Sequence, residues 1–340
     1  MLSIKLITII LGVNVNILSS YHPSQVAVIV GDRKGKLTAK GNTIYVNSKS
    51  IERYGCSADS FTLKWQDKTR SYAGSLEVWA EDGELILVNK VEEDAYLASV
   101  VGAEMVPGAE LEALKAQAVL CRTFIYTGCR HQDEPWDLCD LTHCQSYRGL
   151  ETVTAATGKA VAETEGMFLT YHGEPCKIYY HSTSGGRTAD ARSIWPDEYA
   201  PYLRSVPDPY CSASPHYSWR CTLTSSQIAQ ALDITHVSDI EVVESAPDNR
   251  VIEIRVRGSE SVIYLGWQFR MIMTRKLGWG TLKSSWFEVR KDGESFIFTG
   301  HGLGHGVGLS QWGAVGMAEQ GADFRKILAH YYPGTEVKRW

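Results

Sequence analysis

The chain has 340 residues, 44% of them hydrophobic, with 34 Lys and Arg against 39 Asp and Glu. That is ample apolar material for one large or two medium domains. A net charge of -5 with interspersed signs gives no basic field, which excludes nucleic acid as an evident partner.

The first residues, MLSIKLITIILGVNVNILSS, place Lys5 before an apolar run from Leu6 to Val13. Over 1–20 this has the form of a secretory signal with a minimal basic region, or of a weak membrane anchor. Asn14 and Asn16 make it too short and too polar for a transmembrane span. From Val13 to Leu18 the pattern alternates as a first β-strand does. Eight cysteines in an exported chain permit disulfides, and Cys211 and Cys221 flank a loop that a bridge could close.

Residues 21–90 form a β-rich part, with short strands from Gln25 to Asn89 separated by Gly-Asp, Gly-Asn and Asp-Gly turns. Two helices follow, Glu93–Glu104 and Glu110–Cys129, parted by Pro107-Gly108. A Cys/His-rich loop runs over 128–149, then a helix near Glu151–Glu165 and strands at Met167–Tyr171 and Cys176–His181. A long loop over 184–221 precedes a further set of strands and helices, and the chain closes with helices near Ser310–Gln320 and Asp323–His330. No repeat or linker divides 21–340. The fold class is α+β, with mixed, β-rich parts around a buried helical region that carries a candidate glutamate, and with 91–340 as the core of the site.

That glutamate is Glu104, set among Val100, Val101, Ala103, Met105 and Val106. A carboxyl group in apolar surroundings has its charged form disfavoured, so it can donate a proton near neutral pH. The next helix is apolar around most of its circumference, yet carries Lys115 and Arg122 seven residues apart on one face and Gln117 on another. Two aligned cations on a buried helix need either an ion-pair network or a polar cleft.

Three further constellations carry chemistry. His131, Cys139, His143 and Cys144 offer two imidazoles and two thiols, enough for a tetrahedral zinc site; a Cys139–Cys144 disulfide is the alternative. YYHSTSGGRT contains Tyr180, His181, Ser182, Ser184 and Gly186 at a strand end, and fits a hydrogen-bonding loop better than a nucleophilic serine, since no strand–turn–helix elbow is present. GHGLGHGVGLSQWGA carries His301 and His305 in a glycine-rich turn, with Ser310 capping a helix that begins at Gln311. The glycines deny the helix that a His pair at this spacing needs to bind metal.

Together, LEVWAEDGELILVNKVEEDAYLASVVGAEM, EALKAQAVLCRTF, CDLTHCQSYRG, YYHSTSGG and GHGLGHGVGLSQWGA resemble, in order, the motifs of the stage II sporulation protein D family, which includes amidase enhancers. The resemblance implies a peptidoglycan lytic transglycosylase that cleaves between N-acetylmuramic acid and N-acetylglucosamine in peptide-free glycan strands and leaves 1,6-anhydro ends. It implies a cell-wall amidase as partner, an extracytoplasmic location and, in spore formers, a part in engulfment. It maps the catalytic acid/base onto Glu104 and supports zinc at the Cys139–Cys144 loop. It also places Lys115, Gln117, Arg122, Gln145, the polar residues of YYHSTSGG, His301, His305 and Gln311 along the substrate groove. A single glutamate suffices for such a reaction, whereas a hydrolase needs a second carboxylate at ~5–9.5 Å. Asp94, Glu110 and Glu112 are not compelling partners. Two other classes fit the motifs: a non-catalytic glycan-binding activator of an amidase, and a zinc hydrolase using the Cys/His loop.

Overall fold

The computed structural model describes residues 12–128, 131 and 133–339. The first eleven residues of the expected export segment, and Cys129, lie outside the described residues. The chain divides into two compact units. The first comprises 1–107, 117–168 and 339–340; the second comprises 108–116 and 169–338.

The first unit begins with β1 (Gly12–Ile17), in which Val13, Val15 and Ile17 alternate into the core. Then come β2 (Gln25–Val30), β3 (Arg33–Lys40), β4 (Thr43–Val46), β5 (Lys49–Ile51), β6 (Tyr54–Cys56), β7 (Ser60–Trp65), β8 (Lys68–Ala73), β9 (Ser75–Glu81) and β10 (Glu84–Glu92). They form an antiparallel six-stranded sheet, β5-β4-β3-β2-β7-β8, and a five-stranded sheet, β11-β1-β10-β9-β6, whose edge β11 is Leu138–Cys139. The pairing of β1 with β11 is parallel, Val15 opposite Leu138 and Asn16 opposite Cys139. The alternation at Val13–Leu18 therefore does mark a strand, and that strand carries the Cys/His loop.

Helix α1 (Glu93–Glu104) runs on from β10, and α2 (Leu111–Thr127) follows Pro107-Gly108. From Ala116 to Ile125 every residue of α2 is buried, as its all-round apolar pattern requires. A 3₁₀ turn at Gly149–Thr152 leads into α3 (Ala155–Glu163), shorter at its start than the expected helix because Thr154 caps it with a capping box to Thr157. The turn lies hard against α1. A Cβ at Gly102 would fall 2.0 Å from Thr152 O, so only glycine permits this approach. Ser99 stitches the same pair: Thr152 Oγ1 donates to its carbonyl at 2.8 Å and Arg148 N–H to its hydroxyl at 3.3 Å.

The second unit contains β12 (Met167–Tyr171, from Leu169 on), β13 (Glu174–Pro175), β14 (Tyr180–His181), α4 (Ala191–Ile194), β15 (Ser218–Thr224), α5 (Ser225–Leu232), β16 (Val237–Ser245), β17 (Val251–Gly258), β18 (Ser261–Leu265), α6 (Gly266–Leu277), β19 (Phe287–Asp292), β20 (Ser295–His301), β21 (Leu309–Ser310), α7 (Gln311–Glu319) and α8 (Phe324–Tyr331). Two three-stranded sheets, β15-β20-β19 and β16-β17-β18, pack with α5 and α6 around one core that includes Trp219, Ile254, Phe269, Phe296 and Phe298. This whole block is an insertion between β14 and β21, which pair parallel, Tyr180 opposite Leu309 and His181 opposite Ser310. The expected strand Cys176–His181 is reduced to two residues. Its first half is tied to a loop instead, Lys177 N–H donating to Tyr202 Oη at 2.8 Å. Among the described residues no helix is long and apolar enough to cross a membrane.

Candidate active site and metal cluster

In the first unit, Glu104 is the last residue of α1 and is half-buried. Its Oε1 accepts the backbone N–H of Ser146 at 2.7 Å. The helix ends there because Met105 turns to extended backbone, with ψ 159°. Val100, Val101 and Met105 are buried around it in sequence while Ala103 and Val106 are half-buried, and the carboxylate itself meets an amide donor.

Ser146 lies in the Cys/His loop two residues beyond Cys144, and there His131, Cys139, His143 and Cys144 bring their ligand atoms within 4.8 Å of one another. The Sγ atoms of Cys139 and Cys144 are 3.5 Å apart, and His143 Nδ1 lies 3.7 and 3.5 Å from them. The edges of a tetrahedral zinc site with S and N ligands are about 3.3–3.8 Å. A disulfide needs about 2.05 Å, and neither thiol is bridged. The Nε2 of His131 is buried with no hydrogen-bond partner, the condition of a ring nitrogen awaiting a ligand. Hydrogen bonding from Cys144, with further help from Leu141 N–H and the two imidazoles, holds the Cys139 thiol well below its ordinary range despite its burial. The donor set, spacing and thiolate character fit a metal ion.

The loop is fixed from outside by β1. Asp140 accepts Leu18 N–H at 2.8 Å and Ser19 N–H at 3.3 Å, and Asp137 accepts Asn14 N–H at 2.9 Å. Gln145, expected at the groove, is fully buried; its Oε1 accepts Tyr96 Oη–H at 3.2 Å. Burial, then the nearby Cys121, Cys144, Tyr147 and Glu104, push the Tyr96 hydroxyl well above its usual value, so it remains a neutral donor.

Arg122 answers the question of the two aligned cations differently from Lys115. Its guanidinium is 1% exposed and donates to Glu93 at 2.9 Å, to Thr164 O at 2.8 Å and to Asp94 at 3.4 Å. Tyr126 Oη adds a bond to Glu93 at 2.9 Å. This is an ion-pair network that pins α1, α2 and the end of α3 together, rather than a side chain lining a groove. Gln117, also fully buried, donates to Cys121 Sγ at 3.2 Å. Lys115, counted with the second unit, is paired with Glu112 at 2.7 Å, whose other oxygen accepts Phe324 N–H at 2.9 Å.

The second unit gathers the remaining expected residues. One residue, Val307, orients both imidazoles: its carbonyl is 3.1 Å from His181 Nδ1, and its N–H donates to His305 Nδ1 at 3.0 Å. The rings are 5.6 Å apart, and Trp195 and Tyr179 stand 5.2 and 6.0 Å from His305. Burial, then His305 and Arg250, hold His181 well below its ordinary value, so it is neutral; its Nδ1 must then be the protonated nitrogen. Ser184 is fully buried and donates to Asp208 at 2.6 Å, while Tyr331 Oη donates to the other oxygen of Asp208 at 2.8 Å. The serine thus donates to a carboxylate and not to a histidine, which is unlike a nucleophile–base pair.

Tyr180 and Ser182 are half-buried on and beside β14, and Gly186 donates its N–H to Ser184 Oγ at 3.1 Å. Ser310 caps α7 as expected, accepting Gly313 N–H, and Gln311 is the first residue of that helix, 6% exposed. His301 ends β20 with its ring 4.9 Å from Trp286. Gly306 allows Arg250 to reach the Ser184 and Arg187 carbonyls at 3.1 Å each, since a Cβ there would fall 2.3 Å from the guanidinium. Cys211 and Cys221 are unbridged, correcting the disulfide expectation: Cys211 is enclosed between Ser184 and Asp208, and Cys221 sits on β15. Ser146, Asp140, Val307, Asp208 and Arg250 were not singled out by sequence. Only Ser146, adjacent to the Cys-Gln of the loop, had a positional hint.

Residues 81–171 match the SpoIID family, described as stage II sporulation protein. Residues 210–308, the inserted block, match a domain of unknown function (DUF8618). Stage II sporulation protein D of Bacillus subtilis (strain 168) is 32% identical over 269 residues, spanning 74% of this chain and 75% of that protein. A protein of Brachyspira hyodysenteriae is 30% identical over 286 residues, 82% of this chain and 74% of its own length. The amidase enhancer of Bacillus subtilis is 27% identical over 291 residues, which is 71% of this chain and 40% of that protein.

Proposed function

The chain belongs to the stage II sporulation protein D family, and from that premise we propose that it is a cell-wall enzyme, a lytic transglycosylase acting on peptide-free peptidoglycan strands outside the cytoplasm. The observation that carries the proposal is Glu104 itself: one carboxyl group, at the end of a buried helix, with one oxygen oriented by Ser146 N–H at 2.7 Å.

The reaction needs one group in two roles. Glu104, protonated, gives its proton to the glycosidic oxygen as the bond from muramic C1 breaks and the N-acetylglucosamine leaves with a 4-hydroxyl. The resulting carboxylate then takes the proton of the muramic 6-hydroxyl, whose oxygen closes on C1 to form the 1,6-anhydro ring. No water is consumed and Glu104 ends protonated, ready for another turnover. A hydrolase would require a second carboxylate on the opposite face of the sugar.

The Cys/His cluster would hold zinc through His131, Cys139, His143 and Cys144. Four protein ligands complete a tetrahedron, so the ion would act as a crosslink of the loop that ends in Ser146 rather than as a Lewis acid. The name of the 27% identical relative, amidase enhancer, adds a second activity-related reading: the chain stimulates a cell-wall amidase, in the manner of a non-catalytic activator.

One experiment separates these. Peptide-free glycan strands are incubated with wild type and Glu104→Gln and the products weighed. Anhydro-muramic ends from wild type alone are the expected result. Reducing ends would indicate hydrolysis, no cleavage would leave the activator, and full activity in Glu104→Gln would remove the glutamate from the mechanism.

A further inference from the structure

Burial alternates along 145–148: Gln145 and Tyr147 are fully buried, Ser146 is half-buried and Arg148 is exposed. This segment is tied at three points to the continuous stretch of β10 and α1 that ends in Glu104. Gln145 Oε1 accepts Tyr96 Oη–H at 3.2 Å, Tyr147 Oη donates to Asn89 Oδ1 at 2.7 Å, and Arg148 N–H donates to Ser99 Oγ at 3.3 Å. Asn89 is itself held, its amide donating to Ala73 O at 2.9 Å and Ser75 O at 3.0 Å. None of these bonds passes through the Cys/His cluster.

Ser146 N–H therefore meets Glu104 inside a closed circuit. Tyr96 and Glu104 stand on one helix, about 12 Å apart along its axis. From Tyr96 the path crosses to Gln145, takes one peptide link to Ser146 and returns to Glu104 Oε1 at 2.7 Å. Tyr96 and Gln145 are both wholly buried, where a lost partner leaves a polar group unsatisfied, so the circuit resists opening. The aim of the amide has a chemical consequence. An N–H directed at Oε1 disfavours a proton on that oxygen, so the proton to be transferred sits on Oε2. A carboxyl group turned away from the glycosidic bond loses rate without losing substrate binding.

We propose that Gln145 is a positioning residue for Glu104: anchored by Tyr96, it fixes the Ser146 amide and, through it, the oxygen from which the proton is delivered. The family resemblance counts Gln145 among the groove residues, whereas its complete burial suits a support behind the acid/base. The inference rests on the reading of Glu104 as that acid/base.

The test uses the full chain with Gln145→Met, Tyr96→Phe and the two combined, each assayed on peptide-free glycan strands. Gln145→Met is expected to lower kcat about tenfold or more with KM within about twofold, because substrate contacts are untouched. Tyr96→Phe, which removes a single oxygen, is expected to lower kcat about threefold. The double variant lacks the hydroxyl that Gln145→Met leaves orphaned, so its urea midpoint should recover part of the loss while kcat stays low. Activity that returns together with stability would mark a merely structural role and overturn the proposal, as would an unchanged kcat in Gln145→Met. Hydrogen exchange at the Ser146 N–H, read in the resting protein, is expected to quicken about tenfold in both single variants. Unchanged exchange there overturns the positioning of the amide alone. Full activity in Glu104→Gln would instead remove the acid/base reading and leave the exchange result standing.

Discussion

The two units organise their polar residues in opposite ways. In the first, groups converge on one carboxylate from the outside: a helix end supplies Glu104, a loop amide from Ser146 orients it, and four soft and imidazole donors cluster two residues upstream of that amide. In the second, the expected site residues bond to the fold around them but leave His181 Nε2, His301 Nδ1 and Gln311 Nε2 buried without a hydrogen-bond partner. Ser184 is committed to Asp208, His181 to Val307, and Arg250 to two carbonyls. A half-buried acid that accepts a loop amide can change protonation state during a reaction. Buried ring and amide nitrogens without a partner, as at His181, His301 and Gln311, are instead donors or acceptors that a bound molecule could satisfy. Residue type alone does not distinguish the two, since both motifs are dense in His, Ser and Gly.

The sharpest test of this contrast is Glu104→Gln. It keeps the Ser146 hydrogen bond and volume, so circular dichroism should be unchanged while anhydro-product formation falls about a thousandfold, within the range for loss of a general acid/base. A smaller loss than Ser184→Ala produces would reverse the roles assigned to the two units. Next comes Arg122→Met, expected to leave activity per folded molecule intact but to lower stability by about 3 kcal/mol in urea denaturation, because Glu93 is left without its cation.

Metal content sharpens the comparison further. About one zinc ion per chain is expected by mass spectrometry, lost in Cys139→Ser, with faster amide exchange confined to the 138–149 loop; a chain that binds no zinc, or a variant that keeps it, removes the crosslink. The smallest effect is a pH slope in the second unit. His181 is held far below the usual 6.5, so below that pH the unfolded chain takes up a proton that the folded one refuses. Stability therefore falls as pH drops from 6.5 to 5, by at most about 1.4 kcal/mol per pH unit, and His181→Gln should flatten that slope in urea melts.

Much of the frame was legible in sequence. The helices α1 and α2 fell where apolar periodicity and Pro107-Gly108 placed them, and the ligand cluster was visible as four residues of the right chemistry. What escaped notice had no signature in residue type. Ser146 contributes through a backbone N–H, which any residue offers. Asp140 looked like another loop acid, yet its carboxylate holds the end of β1. Strand β15 was hidden at the end of a loop rich in Pro and aromatic residues, and it becomes a strand by pairing with β20. Arg122 was correctly suspected of needing buried partners, but sequence could not say whether those partners were protein or ligand.

Strand β1 ties residues 12–19 to the Cys/His loop. Cys139 sits on the parallel ledge opposite Asn16, and the Asp140 carboxylate grips Leu18 and Ser19. A cut at residue 20 would unmake the ledge and release the loop whose next residues orient Glu104. Removal of residues 1–20 is then expected to free residues 137–140, read as faster amide exchange there.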